Sequence, residues 1–253
     1  MDVVNERRVC LFTGASGQLG RAFCAAYRDQ YDIVAVYRRE RPWFPAQDAR
    51  LVDPLDPGRA VQENAHPIHA LRADLLVPGE ALRVVESTLA RHGRIDLLVN
   101  AAVSTLWAPM LGSLDLANSV QRQFALAVDI PLRLATLIAQ LHWQADAGNN
   151  RVHNRNVVNV SSVAALRVYP GSGQSVYAAS KAAMNHLTAH MAVEFERVGV
   201  RVNATAANSF PQLVGVARAA EAIRELDAST RTGELLVVDG EQNEWMRLDE
   251  PDR

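Results

Sequence analysis

The feature that most constrains this chain is an alternation. Short apolar runs rich in β-branched residues recur between longer segments whose apolar positions follow the helical period. The runs begin at Arg8-Val9-Cys10-Leu11-Phe12, Asp32-Ile33-Val34-Ala35-Val36, Pro67-Ile68-His69-Ala70-Leu71 and Ile95-Asp96-Leu97-Leu98-Val99. They continue at Asn156-Val157-Val158-Asn159-Val160, Val200-Arg201-Val202-Asn203-Ala204 and Glu234-Leu235-Leu236-Val237-Val238. Helical periodicity covers about 18–29, 79–92, 114–143, 175–198 and 215–226. Such a pattern predicts a doubly wound, seven-stranded parallel sheet with helices on both faces. With 253 residues, 49% of them hydrophobic, the chain can bury one large core, and the order of elements favours a single domain over residues 1–253.

Two stretches interrupt the alternation. Arg41 to Ala65 carries several prolines and follows strand two, so it is expected to flank one end of a ligand bound outside the carboxyl ends of the strands, with Trp43 as a packing residue. The polar segment Asp146 to Arg155 is expected to be a solvated connection.

Charge and composition narrow the function classes. A formal net charge of −2, from 26 basic and 28 acidic residues fairly evenly interspersed, provides no basic stripe, which argues against nucleic acid or a membrane surface as partner. The stretch Met1 to Arg8 lacks the apolar core of a signal peptide, and no apolar run reads as long enough to span a bilayer, so a cytoplasmic protein is expected. Cys10 and Cys24 fall in apolar segments and read as buried thiols without chemistry. His186 and His190 have metal-ligand spacing, but no glutamate follows His186 and no third ligand is evident, so no metal is expected.

Directly after the first strand stands Thr13-Gly14-Ala15-Ser16-Gly17-Gln18-Leu19-Gly20, followed by a helix. Glycines allow a tight turn and close backbone approach, and the helix start presents free N–H groups and a positive dipole end to a pyrophosphate. In this strand–turn–helix context the motif predicts a dinucleotide site of the Rossmann kind. Strand two ends at Val36 and is followed by Tyr37-Arg38-Arg39, near the distance at which a carboxylate receives the ribose hydroxyls of NAD. Arg38 and Arg39 instead suit a 2′-phosphate, so NADP(H) is the expected cofactor and NAD(H) the alternative.

The fifth strand runs into Ser161-Ser162, and a helix then carries Tyr177-Ala178-Ala179-Ser180-Lys181. Four residues apart on a helix, Tyr177 and Lys181 share a face. A free phenol titrates near about 10, and a neighbouring ammonium brings it toward the working range. Ser162 can polarise a carbonyl, and Tyr177 can protonate the alkoxide formed by hydride transfer from a nicotinamide.

Taken together, these residues resemble the short-chain dehydrogenase/reductase family over nearly the whole chain. Thr13 to Gly20 is similar to its glycine motif, and Asn100-Ala101-Ala102 to its strand-four motif. Asp74, with Leu75, resembles its adenine-contacting position, and the stretch Thr232 to Gly240 its C-terminal strand. Ser162, Tyr177 and Lys181 match its catalytic residues, and the resemblance also implies that Tyr177 and Lys181 touch the cofactor. It further implies a small-molecule carbonyl or alcohol substrate and a homodimer or homotetramer packed through the two long helices.

The chain departs from the family at three places. Gln18 stands where the classical branch has glycine, giving a spacing that resembles the extended branch, although the tail is too short for that branch's substrate domain. Ala127 aligns with a catalytic asparagine of the proton relay. Ala207-Asn208 replaces the usual Pro-Gly, and only Ser209 to Gly215 separates it from the next helix. A lid this short suits a bulky or carrier-borne substrate, or a site that no longer closes over any. The alternative to an enzyme is therefore a catalytically impaired, dinucleotide-binding regulatory or assembly subunit. The loop Arg167 to Gln174 is expected to line the substrate side, with Tyr169 as a contact.

Overall fold

A computed structural model describes residues 7–42, 44, 68–105, 107–111, 116–209, 212–240 and 242–249. Its strands are β1 (Arg8–Thr13), β2 (Tyr31–Tyr37), β3 (His69–Arg72), β4 (Leu97–Asn100), β5 (Asn156–Val160), β6 (Arg201–Ala207), β7 (Glu234–Asp239) and β8 (Gln242–Arg247). Its helices are α1 (Gln18–Tyr27), α2 (Glu80–His92), α3 (Leu116–Phe124), α4 (Ile130–Leu141), α5 (Ala147–Val152), α6 (Ser175–Phe195) and α7 (Val216–Ala228). All eight strands form one sheet in the order β3-β2-β1-β4-β5-β6-β7-β8. Strands β1 to β7 pair in parallel. Strand order reverses between β1 and β4, and a crevice opens at the carboxyl edge of such a switch point.

Side-chain alternation along β1 shows how the layers arise. Cys10 and Phe12 face Leu19, Phe23 and Cys24 of α1 and Ala220, Ile223 and Leu226 of α7. Leu11 faces the other layer, with Val84 and Val85 of α2, Leu134 and Ile138 of α4 and Met191 of α6. Both faces are covered, so the strand carries no polar alternate and reads as a continuous apolar run. Cys10 and Cys24 are free thiols buried in the first layer, and burial pushes both thiols up from their ordinary range.

The seven-strand expectation falls one short. Strand β8 pairs antiparallel with β7 from Asp239↔Gln242 to Glu234↔Arg247, across a turn that holds Gly240 at φ +64. An aspartate–glycine step is a hairpin signal, but β8 is an edge strand of mixed composition and has no apolar run to announce it. Its apolar residues still pack inward: Trp245 against the α1/α7 layer and Met246 beside Ala204, Leu235 and Val163.

The helix expected over about 114–143 is two helices joined by a π-helical turn, Ala125–Asp129. The span Val120–Leu141 has the length and composition to cross a bilayer, which the sequence reading overlooked. Its Ile130, Leu134, Ala135 and Ile138 lie buried under the sheet, so the core uses that apolarity.

Asp146 to Arg155 is largely exposed, as a solvated connection should be, but it also carries a short helix and two buried side chains. Asp146 caps α5 by accepting a hydrogen bond from Asn149 N at 2.9 Å. Asn150 is buried and donates to Trp143 O and Val198 O, each at 2.6 Å. Arg155 is buried against Asp96, with Nε to Oδ1 at 3.2 Å. Asp96 also accepts from Val9 N at 2.9 Å and from Arg94 Nε at 3.1 Å. Beside it, Asp227 accepts from Arg8 and from the Tyr31 hydroxyl at 2.8 Å. This network closes the amino edge of the sheet, opposite the crevice. Trp43 and residues 45–65 of the first excursion lie outside the described residues.

Candidate active site

The glycine loop is held by the residue that opens it. Buried Thr13 donates from Oγ1 to Val99 O at 3.2 Å and accepts from the N–H groups of Ala101 and Ala102, both at 3.1 Å. Thr13 thus clamps the start of the loop to the Asn100-Ala101-Ala102 turn after β4. Gly14 has φ +74, and a Cβ there would stand 2.7 Å from Ala101 O, so the close approach of the two turns requires glycine. At Gly20 a Cβ would meet Ala15 Cα at 2.5 Å, which fixes how tightly α1 packs on the loop. Gly17 caps α1 without a side chain, and at Gly17 the nearest atom to a Cβ is Gly14 O at 3.3 Å. The first-turn amides of α1, from Gln18 onward, carry the positive dipole end toward the crevice. The Leu19 side chain is buried in the core, as is that of Ala15, so Leu19 offers the crevice its backbone N–H alone.

From Gly14 and Ser16 a groove of about 250 Å³ runs along Val36, Tyr37, Arg38 and Arg39 to Asp74, Leu75 and Ala102. All these residues except Val36 and Tyr37 were singled out in the sequence. Glu40 and Leu126 line the same groove and were not. Glu40 follows the arginine pair directly, one position beyond the residues that the strand-end pattern marks. Asp74 turns its chain by accepting from Leu76 N at 3.2 Å.

At the carboxyl end of β5, the Ser162 hydroxyl accepts from Ala164 N at 3.2 Å and lies beside the Tyr177 phenol. Burial raises the Tyr177 phenol above its usual range, and the bond to Ser162 opposes that rise. Lys181 is the chain's single lysine and is buried to 3% exposure. Its Nζ donates to Val160 O at 2.6 Å and lies 3.7 Å from Met184 Sδ. Burial pulls its ammonium down to about 8.

A buried polar chain that the sequence reading missed locks these elements together. Asn100 Nδ2 donates to Asn159 Oδ1 at 2.9 Å, and Asn159 Nδ2 donates to Thr188 Oγ1 at 2.9 Å. The Thr188 hydroxyl donates to Met184 O at 2.7 Å, one turn beyond Lys181. Asn159 sits within an apolar strand, which was its only signal. Asn100 Oδ1 is buried with no protein partner, leaving an acceptor for a bound group. Ala127 lies in the π-helical turn, is buried, and brings no polar group.

The rim is closed by short contacts in place of a long lid. Ala108 N donates to Gly173 O at 3.0 Å, joining the turn after β4 to the loop before α6. The Tyr169 hydroxyl approaches Asn208 Oδ1 at 3.5 Å, and Asn208 Nδ2 donates to Asp239 Oδ1 at 2.8 Å. Asp239 is in turn paired with Arg167 at 2.6 Å.

Comparison with known proteins agrees with this architecture. The short chain dehydrogenase family model matches residues 8–211. An uncharacterized NAD-dependent oxidoreductase of Mycobacterium tuberculosis is 31% identical over 202 residues, covering 78% of this chain and 69% of the relative. The 3-oxoacyl-[acyl-carrier-protein] reductase of Thermotoga maritima is 26% identical over 204 residues, covering 79% of this chain and 73% of that protein. Among solved structures, a putative short-chain dehydrogenase/reductase from Burkholderia xenovorans superposes with a TM-score of 0.71 at 24% identity, covering 92% of this chain and 95% of that one. With the crevice, the glycine loop and the family match in agreement, the chain belongs to the short-chain dehydrogenase family.

Proposed function

We propose that this protein is a nicotinamide-dependent oxidoreductase interconverting a carbonyl and an alcohol on a small molecule. The observation that carries the reading is the juxtaposition of Ser162, at the carboxyl end of β5, with the Tyr177 phenol, one helical turn from the chain's single lysine. The groove suits a dinucleotide: it is floored by glycine backbone, α1 points an uncapped end at it, and Asn100 Oδ1 offers a spare acceptor. When bound, the nicotinamide supplies or accepts the hydride. Ser162 Oγ hydrogen-bonds the substrate oxygen as negative charge develops there. Tyr177, kept protonated by burial, donates its proton to that oxygen in reduction and takes it back in oxidation. Lys181 places a cation behind the tyrosine that favours the phenolate once the proton has left.

Arg38 and Arg39 favour NADP(H), because a guanidinium fork matches a phosphate. NAD(H) is the second reading for the cofactor: Glu40 lines the same groove with a carboxylate suited to ribose hydroxyls, and the Mycobacterium relative is named NAD-dependent. A regulatory or assembly subunit with impaired catalysis is the second reading for the function, favoured by apolar Ala127 in the π-helical turn. The deciding experiment is turnover of a set of aldehydes and ketones by the wild type and Tyr177→Phe. The variant should lose about 10²–10⁴-fold in kcat with cofactor affinity nearly unchanged. Retained turnover in Tyr177→Phe removes the tyrosine from the mechanism. A wild type that binds cofactor and reduces nothing favours the regulatory reading.

A further inference from the structure

We propose that His186 and His190 on α6 form a surface chelate for a divalent transition-metal cation, with a spacing suited to Zn²⁺. The inference is independent of the oxidoreductase reading, because it uses neither the crevice nor the cofactor groove.

Helix α6 sets residues 186 and 190 one turn apart on a shared face. Both rings are exposed and they contact each other, with the two Nε2 atoms 3.3 Å apart. The ring centroids stand 4.8 Å apart at an interplanar angle of 79°, so the rings are tilted and do not meet end to end. Without a metal, one ring donates its N–H to the lone pair of the other. A cation that takes the place of that proton gains both lone pairs. Imidazole nitrogen binds Zn²⁺ at about 2.0–2.1 Å, so two nitrogens at the observed 3.3 Å subtend about 104–111° at the metal, which brackets the tetrahedral angle. The pair therefore needs little rearrangement to bind.

Helical side chains lean toward the amino end, which sets the His186 ring over Ala182 and Ala183. Their methyl groups leave room for further ligands on the cation. Among the described residues no third imidazole, thiol or carboxylate completes the set, so water fills the remaining positions. The missing third ligand, which argued against a metal in the sequence, limits the affinity but leaves the two-imidazole chelate intact. Because both ligands stand on one rigid helix, the second nitrogen meets the bound cation at high effective concentration. At 100° per residue His186 lies about 140° around α6 from Lys181. The cation thus braces, from outside the crevice, the helix that carries Tyr177 and Lys181.

The test is titration calorimetry of the full chain with zinc chloride in a non-coordinating buffer. It uses the wild type, His186→Ala, His190→Ala and, as a control on another exposed imidazole, His153→Ala, with circular dichroism to confirm folding. The wild type should take up one cation per chain. Either α6 variant should weaken that binding about 10²-fold, the loss of a second point of attachment, and His153→Ala should change it less than about twofold. Zinc should also raise the melting temperature of the wild type and of His153→Ala but not of the α6 variants. Electron paramagnetic resonance with Cu²⁺, which imidazole pairs bind more tightly than Zn²⁺, should show two nitrogen ligands in the wild type and one in either α6 variant. No uptake by the wild type overturns the site. Wild-type affinity in both α6 variants also overturns it, because the cation then sits elsewhere. A loss of only about twofold in each would mean two independent imidazoles and would overturn the chelate as well.

Discussion

Burial brings the Lys181 ammonium down to about 8, so its charge is present below that pH and lost above it. The Tyr177 phenol is shifted the other way and stays protonated over the same range. For carbonyl reduction, kcat/KM should therefore fall as the pH rises through about 8, as the cation behind the tyrosine is lost. A profile flat through that window removes the Lys181 charge from the rate. The same shift has a stability sign: the unfolded lysine holds its proton to higher pH than the folded one, so its contribution to stability rises with pH from about 8 toward the ordinary lysine value. The sequence singles out Ser162, Tyr177 and Lys181 as candidates because two of them share one helix and the third ends a strand. It does not single out Asn159 and Thr188, whose contact forms only when separate elements meet.

Among the elements, the glycine loop tests whether sequence spacing was read for the right reason. Gly20→Ala should cost about 1–3 kcal/mol in a urea melt and weaken cofactor binding, because its Cβ would press on Ala15 backbone at 2.5 Å. Gly17→Ala should cost clearly less, since its Cβ contact is the 3.3 Å approach to Gly14 O. Equal costs at the two positions would contradict this account of the turn. Strands β1 to β7 announced themselves through apolar runs, whereas β8 is a half-exposed hairpin partner. Helix α5 hides in a polar stretch because its buried residue, Asn150, is held by hydrogen bonds instead of apolar contact.

For the molecule as a whole, the two edges of the sheet divide the labour. The amino edge is closed by buried charge, and Asp96→Ala would strand Arg155, which is 4% exposed, without its carboxylate. That substitution should cost about 3–5 kcal/mol in unfolding free energy while leaving cofactor affinity unchanged, because the crevice lies at the opposite edge. A small loss, or a loss of cofactor binding at full stability, would contradict this separation. The carboxyl edge carries the central claim, and the measurement that tests it most directly needs no substrate: titration of the purified chain with NADPH and NADH, followed by nicotinamide fluorescence. The account predicts saturable binding of NADPH that is tighter than that of NADH and weakens in Arg38→Ala. Binding of neither cofactor would contradict it and leave the family fold without its chemistry.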